Sequence, residues 1–190
     1  GKTSIMASLA ALSRNSVLAD CDVDASDLHL LLGRDIKERH DFKSSHKAMI
    51  RADACTGCGS CYERCRSEAI AVDSRVVDRK VYAIDQLACE GCGVCVWSCP
   101  VKAIDFNLCH DGEWFISDTR FGPMVHARLE PGGENSGKLV SVVRREARKI
   151  AEKNGHDFIL TDGPPGTGCA VIAAISGADM ALIITEPTMS

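Results

Sequence analysis

Cysteine spacing is the strongest chemical signal in this sequence. Eight of its 11 cysteines follow the pattern CxxCxxCxxxC, which occurs twice with an offset of 34 residues. Such spacing lets three thiolates of one loop reach three irons of a cubane, while the fourth points toward a second cluster. The eight candidate ligands are Cys55, Cys58, Cys61, Cys65, Cys89, Cys92, Cys95 and Cys99.

The repeat predicts two [4Fe–4S] clusters with crossed ligand sets. One set combines the first three cysteines of the first repeat with the last of the second, Cys55, Cys58, Cys61 and Cys99. The other set is Cys65, Cys89, Cys92 and Cys95. Pro100, directly after the second repeat, fits the bacterial ferredoxin pattern, whereas Arg66 departs from it.

Two other uses of the cysteines compete with cluster binding. Disulfides would require an oxidising compartment, yet the sequence shows no signal peptide and its cysteine number is odd. Zinc is the stronger competitor, because CxxC pairs also form tetrahedral sites. Zinc ribbons, however, do not need the third and fourth cysteines of this pattern. Cys21, Cys109 and Cys169 lie outside the repeats, and we expect them to be buried structural thiols.

The first residues indicate a second kind of chemistry. Gly1, Lys2, Thr3 and Ser4 match the end of a phosphate-binding loop, in which a lysine reaches phosphates and a hydroxyl holds Mg²⁺. A helix should follow to about Arg14, and the spacing of Ile5, Leu9 and Leu12 places them on one face.

Acidic residues follow three apolar runs, each with the composition of a buried strand. The run 17–19 leads into Asp20, Asp22 and Asp24, and the run 157–161 leads into Asp162 and a glycine-rich turn. A third run, 181–185, leads into Glu186. Open α/β sheets bind ligands at the carboxyl ends of their strands, so these carboxylates are candidate partners of a bound nucleotide.

Together these segments resemble the MinD/ParA superfamily of P-loop ATPases, in particular its members with an inserted two-cluster ferredoxin domain. The resemblance implies an α/β fold, a P-loop NTPase parallel sheet with an inserted α+β ferredoxin-like domain. It also implies that the chain is an internal fragment, which lacks the first strand and the C-terminal part of the ATPase. The two ATPase halves of such a fragment would not fold alone. Besides the cysteines, the matching segments are GKT (1–3), DCDVDASDLHLLLG (20–33), FGPMVHARLEPGGENSGKLV (121–140) and DFILTDGPPGTGCAVIAAISGADMALIITEPT (157–188).

The resemblance also implies roles for the nucleotide-site residues. Lys2 would neutralise the β- and γ-phosphates of ATP, and Thr3 would bind Mg²⁺. Asp22 would align the attacking water, while Asp20 and Asp162 would act on the metal through its water shell. ATP hydrolysis by a homodimer is therefore the expected activity.

The predicted organisation is a first ATPase part (1–52), a ferredoxin-like insert (53–108) and a second ATPase part (109–190). Within the insert, apolar and charged residues alternate from 76 to 84, and this pattern predicts a hairpin. In the second part, apolar spacing predicts an amphipathic helix over 138–154, ended by Gly155.

Composition limits the remaining possibilities. A net charge of −4 gives no electrostatic case for nucleic acid, and the longest apolar stretch, near 169–185, is interrupted by polar residues. Reduced thiols and no visible leader indicate the cytoplasm. The leading hypothesis is ATP-gated electron transfer to a protein partner. The alternatives are an ATP-dependent carrier or scaffold for clusters and a plain ferredoxin with an inactive ATPase.

Overall fold

The protein is described by a computed structural model that covers residues 1–185. Two compact units are distinguished: Gly1–Phe42 with Asp111–Ser190, called the sheet unit, and Lys43–His110, called the iron–sulfur unit. The predicted insert, 53–108, lies within the second range. The helices are α1 (Lys2–Leu12), α2 (Leu28–Leu32), α3 (Ser60–Arg64), α4 (Val94–Ser98), α5 (Ser136–Asn154) and α6 (Cys169–Ile175). The strands are β1 (Ser16–Asp20), β2 (Asp35–Ile50), β3 (Ile70–Val72), β4 (Tyr82–Ile84), β5 (Ile104–Thr119), β6 (Gly122–Leu129) and β7 (Phe158–Asp162).

The larger sheet has five strands in the order β2-β5-β6-β1-β7. Strand β1 runs parallel to both of its neighbours, β6 and β7, as an α/β fold requires. Strands β5 and β6 are antiparallel and joined by a tight turn, in which Thr119 pairs with Gly122. The sheet is therefore mixed, and the expectation of a parallel P-loop sheet was wrong for this pair. A two-residue connection can join only antiparallel strands, because a parallel pair needs a long crossover.

Helix α5 confirms the amphipathic pattern read from the sequence. It ends at Gly155, whose φ of +68° is the left-handed conformation that favours glycine after a helix. The apolar face packs on the sheet unit's core, together with residues of β1 and β6. The buried residues of the helix are Leu139, Val140, Val143, Ala147 and Ala151.

Helix α1 has the predicted extent but a different buried face. Met6 and Ala10 are buried, whereas Ile5, Leu9 and Leu12 are exposed. The helix carries apolar residues on nearly all sides, so their spacing alone does not identify the side that meets the sheet.

Strands β3 and β4 of the iron–sulfur unit form an antiparallel hairpin in which Ile70 pairs with Ile84. The predicted hairpin over 76–84 located the second strand correctly. The first strand of the hairpin, β3, lies before the predicted range, and residues 76–81 belong to the connection between β3 and β4. At the start of this connection, the amide of Asp73 donates a hydrogen bond to the carbonyl of Val81 (2.8 Å). The run 181–185 is not a strand, and Glu186 lies outside the described residues.

Candidate functional site

The two cysteine loops are shaped by matching backbone contacts. Gly57 and Gly91 lie between the first and second cysteines of their repeats, and both have positive φ. A Cβ on Gly57 would overlap the carbonyl oxygen of Lys80, and a Cβ on Gly91 would overlap that of His46. His46 and Lys80 are themselves 34 residues apart, so the duplicated unit begins upstream of the cysteines. This extension was missed in the sequence, although the constant offset could have revealed it.

One cavity of the iron–sulfur unit is lined by four cysteines from different repeats. They are Cys55, Cys58, Cys61 and Cys99, the first of the two crossed sets. Ile50, Tyr82 and Ile104 contribute apolar walls. Four sulfurs around a small apolar cavity form the donor set that a [4Fe–4S] cluster requires, so the residues present fit the cluster.

Backbone amides point at the sulfurs of this cavity. The amide of Gly57 donates to Sγ of Cys55 (3.4 Å), and the amide of Ala103 donates to Sγ of Cys99 (3.3 Å). Hydrogen bonds to cluster sulfurs favour the more negative, reduced state. The fold therefore supplies two hydrogen bonds that would tune the reduction potential of a cluster bound in this cavity.

Three cysteines of the second crossed set pack on the small core of this unit. Cys65, Cys89 and Cys95 pack against the core formed by Ala48, Cys61, Ile70, Tyr82 and Ile104. The pKa of Cys95 is raised to about 11, mainly by burial and to a smaller extent by the nearby Cys89 and other cysteines. Burial also raises the pKa of Cys61. Iron must therefore displace protons from these thiols when it binds.

The cysteines differ in their access to water. Cys58 and Cys92, the second cysteines of the two repeats, are exposed. Of the three cysteines outside the repeats, Cys21 is buried as expected, and burial raises its pKa to about 12. Cys109 is partly buried, while Cys169 is exposed, so the expectation of burial was wrong for Cys169.

In the sheet unit, the acidic strand ends predicted from the sequence lie side by side. Strands β1 and β7 are in register, with Asp20 opposite Asp162. Asp20 accepts hydrogen bonds from the hydroxyl of Ser26 (2.7 Å) and the amide of Asp22 (3.2 Å). Burial, reinforced by the Asp162 charge, raises the pKa of Asp20 to about 7. A nearby cation would therefore stabilise the charged form of this carboxyl.

The start of α1 adds a cation and a hydroxyl to these carboxylates. The Nζ of Lys2 is buried and has no hydrogen-bond partner within residues 1–185. The positive charge of Lys2 lowers the pKa of Asp22 and of Asp162. A hydrogen bond from the side chain of Thr3 also lowers the pKa of Asp162. Burial nevertheless raises the pKa of both carboxyls. Gly1 is the N-cap residue of the helix and makes no side-chain hydrogen bond there. The carbonyl of Ser4 accepts a hydrogen bond from the hydroxyl of Ser8.

His126, to which the sequence assigned no chemistry, is buried on β6 beside this site. Its Nε2 lies 2.9 Å from Oγ of Ser117 in a buried hydrogen bond. The Phe115 ring stacks on it, with 4.9 Å between ring centroids. Burial, followed by the charges of Arg34 and His29, lowers the pKa of His126 to about 4. The ring is therefore neutral at pH 7.

Comparison with known proteins identifies the cysteine-containing part. Residues 34–103 match the family described as the 4Fe-4S dicluster domain. These residues form a ferredoxin-like iron–sulfur domain. An uncharacterized protein of Methanocaldococcus jannaschii is 36% identical over 194 aligned residues, which include 100% of this chain. The chain spans 64% of the length of that relative.

The family match and the cysteine pattern support iron–sulfur clusters and suggest iron–sulfur electron transfer. Within residues 1–185, no helix has both the length and the apolar character needed to cross a membrane.

Proposed function

We propose that this chain is an electron-transfer protein with two [4Fe–4S] clusters held by the crossed cysteine sets. The observation that carries the proposal is the cavity lined by Cys55, Cys58, Cys61 and Cys99, since three of these residues belong to one repeat and the fourth to the other. When bound, each cluster exchanges one electron without rearranging its ligands.

The protein's contribution is to hold the sulfurs and limit their contact with water. Tyr82 and Ile104 are almost fully buried beside the cavity, and the amides of Gly57 and Ala103 donate to its sulfurs. Cys58 and Cys92 are exposed, so they would be the cluster ligands most accessible to solvent. A complete set of four cysteine ligands for each cluster favours retained electron carriers over clusters that are handed to another protein.

The cluster assignment is tested by iron content after anaerobic reconstitution and by electron paramagnetic resonance after one-electron reduction with dithionite. We expect about eight irons per chain, the content of two four-iron clusters. Replacement Cys99→Ala should remove the signal of one cluster and lower the iron content to about half. The matched control is Cys109→Ala, which changes a cysteine outside both sets. Two zinc ions per chain without iron would reject the assignment.

A second proposal is that Lys2, Thr3, Asp20, Asp22 and Asp162 bind ATP with Mg²⁺, as the resemblance to MinD/ParA ATPases implies. The supporting observation is the buried Nζ of Lys2, which lacks a hydrogen-bond partner within the described chain. A phosphate group would supply that partner, and Thr3 and the carboxylates suit Mg²⁺ and its water ligands. Gly1 and Ser4 would complete the phosphate-binding segment. In this proposal the iron–sulfur domain is inserted between two ATPase parts, and nucleotide binding by a homodimer gates electron transfer.

The nucleotide proposal is tested by measuring MgATP binding and hydrolysis. Replacement Lys2→Ala should abolish both, because it removes the charge opposite the phosphates. The exposed control Lys153→Ala should leave both unchanged. Turnover by Lys2→Ala at the unaltered rate would reject the site.

The cluster-carrier alternative makes a different prediction. Incubation with an apo-ferredoxin acceptor would move iron from a carrier, whereas an electron-transfer protein would keep its iron and pass electrons only. Labelling the clusters with ⁵⁷Fe distinguishes the two results directly.

A further inference from the structure

A shallow groove on the iron–sulfur unit lies over one cysteine of the second crossed set. Its lining residues are Arg64, Cys92, Val94, Trp97 and Ser98. The Trp97 side chain is 92% exposed, and Val94 is 45% exposed. Two neighbouring apolar side chains are thus exposed beside the polar Arg64 and Ser98, and contiguous exposed apolar surface with a polar rim marks interaction sites.

The other repeat shows that the fold does not require this surface. Helices α3 and α4 each have five residues and follow a left-handed glycine. At the offset of 34, Ser60 stands in place of Val94 and Glu63 in place of Trp97. The equivalent positions on α3 are therefore polar, with one acid and one base (Ser60, Glu63 and Arg64), whereas α4 carries the apolar Val94 and Trp97.

Charge adds a second feature to the groove. Arg64 is its charged lining residue, and no carboxylate lines it. Within residues 1–185 the Arg64 guanidinium makes no ion pair or hydrogen bond that would neutralise it. Tryptophan and arginine are the residues most enriched at the centres of protein interfaces. A partner that covers the groove would therefore present an acidic rim around an apolar patch.

We propose that this groove, called the Trp97 groove, is the docking site of an acidic electron-transfer protein. The proposal rests on the electron-transfer function above, because only a cluster held by Cys92 makes the groove a route for electrons. A reduced donor docked there would lose one electron and the cluster would gain it, with no bond made or broken. Cys92 is the cysteine of the second set that lines the groove, and it is exposed.

The test uses the complete chain loaded with both clusters. Iron content and electron paramagnetic resonance of every variant are measured first, so a failure of the electron-transfer proposal is seen as missing clusters before any kinetics. Cluster reduction is then followed by stopped-flow absorbance with flavodoxin hydroquinone, an acidic protein donor. Dithionite serves as a small donor that needs no docking site.

We expect Trp97→Glu to lower the second-order rate constant with flavodoxin at least tenfold and the rate with dithionite less than twofold. Arg64→Ser should lower the flavodoxin rate severalfold and weaken its dependence on salt. The conservative variant Trp97→Phe should keep most of the rate. The matched control Glu63→Ala, on the equivalent face of the other repeat, should not reduce the flavodoxin rate.

An unchanged flavodoxin rate in Trp97→Glu would overturn the proposal. So would an equal loss of rate with dithionite, which would indicate damage to the cluster rather than to docking. A lower molecular mass of Trp97→Glu than of wild type in analytical ultracentrifugation would also overturn it, because the groove would then be covered by a second copy of the chain.

Discussion

In the sheet unit all five residues of β1 are buried, and α5 adds five more buried residues to the core around them. In the iron–sulfur unit the packed cluster of buried residues has five members, one of which is Cys61, with other cysteines packed against it, and most other buried apolar residues there are small. The longest helix there has five residues. The first unit is therefore stabilised by apolar burial, whereas the second depends on its cysteines and on what they bind.

This difference predicts that removal of iron unfolds the iron–sulfur unit and leaves the sheet unit folded. It is the largest effect we expect. After anaerobic chelation of iron, amide hydrogens throughout 43–110 should exchange within seconds, because closing the cysteine loops without metal leaves little apolar burial to hold them. Amides of β1 and α5 should remain protected. Hydrogen exchange read by mass spectrometry gives both results in one experiment.

Equal protection of both units in the iron-free protein would show that the small core suffices by itself. Loss of protection in both would show that they form one cooperative unit. Re-addition of iron and sulfide is the control, and it should restore the protection of 43–110.

Glycine substitutions provide a sharper comparison, since Gly57 and Gly155 have the same φ of +68°. A Cβ on Gly155 meets nothing within 4 Å, so Gly155→Ala should cost only the left-handed conformation, roughly 1–2 kcal/mol. A Cβ on Gly57 would overlap the carbonyl of Lys80, so that the cysteine loop must move. We expect Gly57→Ala to lose most of one cluster's iron while the sheet unit keeps its melting temperature.

Iron content and thermal unfolding of the two variants measure this contrast. Gly91→Ala, opposite His46 in the second repeat, should repeat the Gly57 result on the other cluster. Full iron content in Gly57→Ala would mean that the close backbone approach is not needed for cluster binding.

The two units also differ in how much of each could be read from the sequence. The cysteine sets depend on spacing within short loops, and α5 depends on a period within one helix, so both are local patterns. Strand direction is not local: a parallel sheet was expected, and the turn at Thr119 makes β5 and β6 antiparallel. The buried face of α1 likewise depends on which strand it meets.

Exposure was the least predictable property of the candidate sites. Nothing in the spacing distinguishes Cys92 from a buried ligand or indicates that Trp97 faces solvent. Tryptophan in a sequence usually indicates a core residue, because its large apolar surface is costly to expose. The proximity of Asp20 and Asp162 was predictable, since each ends an apolar run, but the buried and unpartnered Nζ of Lys2 required the structure.

The smallest expected effect lies in the sheet unit alone and concerns pH. The pKa of His126 is about 4 in the folded protein, below the ordinary value of 6.5, mainly because the ring is buried. Between these pH values the unfolded chain binds more protons than the folded one, so the free energy of unfolding rises with pH across this window. The slope from one group cannot exceed about 1.4 kcal/mol per pH unit.

Replacement His126→Gln should therefore flatten the pH dependence of unfolding between about pH 4 and 6.5, measured by urea denaturation at several pH values. The difference in slope between the variant and wild type isolates this histidine from other titrating groups. Ser117→Ala is the control: it removes the 2.9 Å hydrogen bond but leaves the ring buried, so it should lower stability and keep the slope. If His126→Gln retained the wild-type slope, the ring would be protonating within the folded sheet unit, and burial would not be what keeps it neutral.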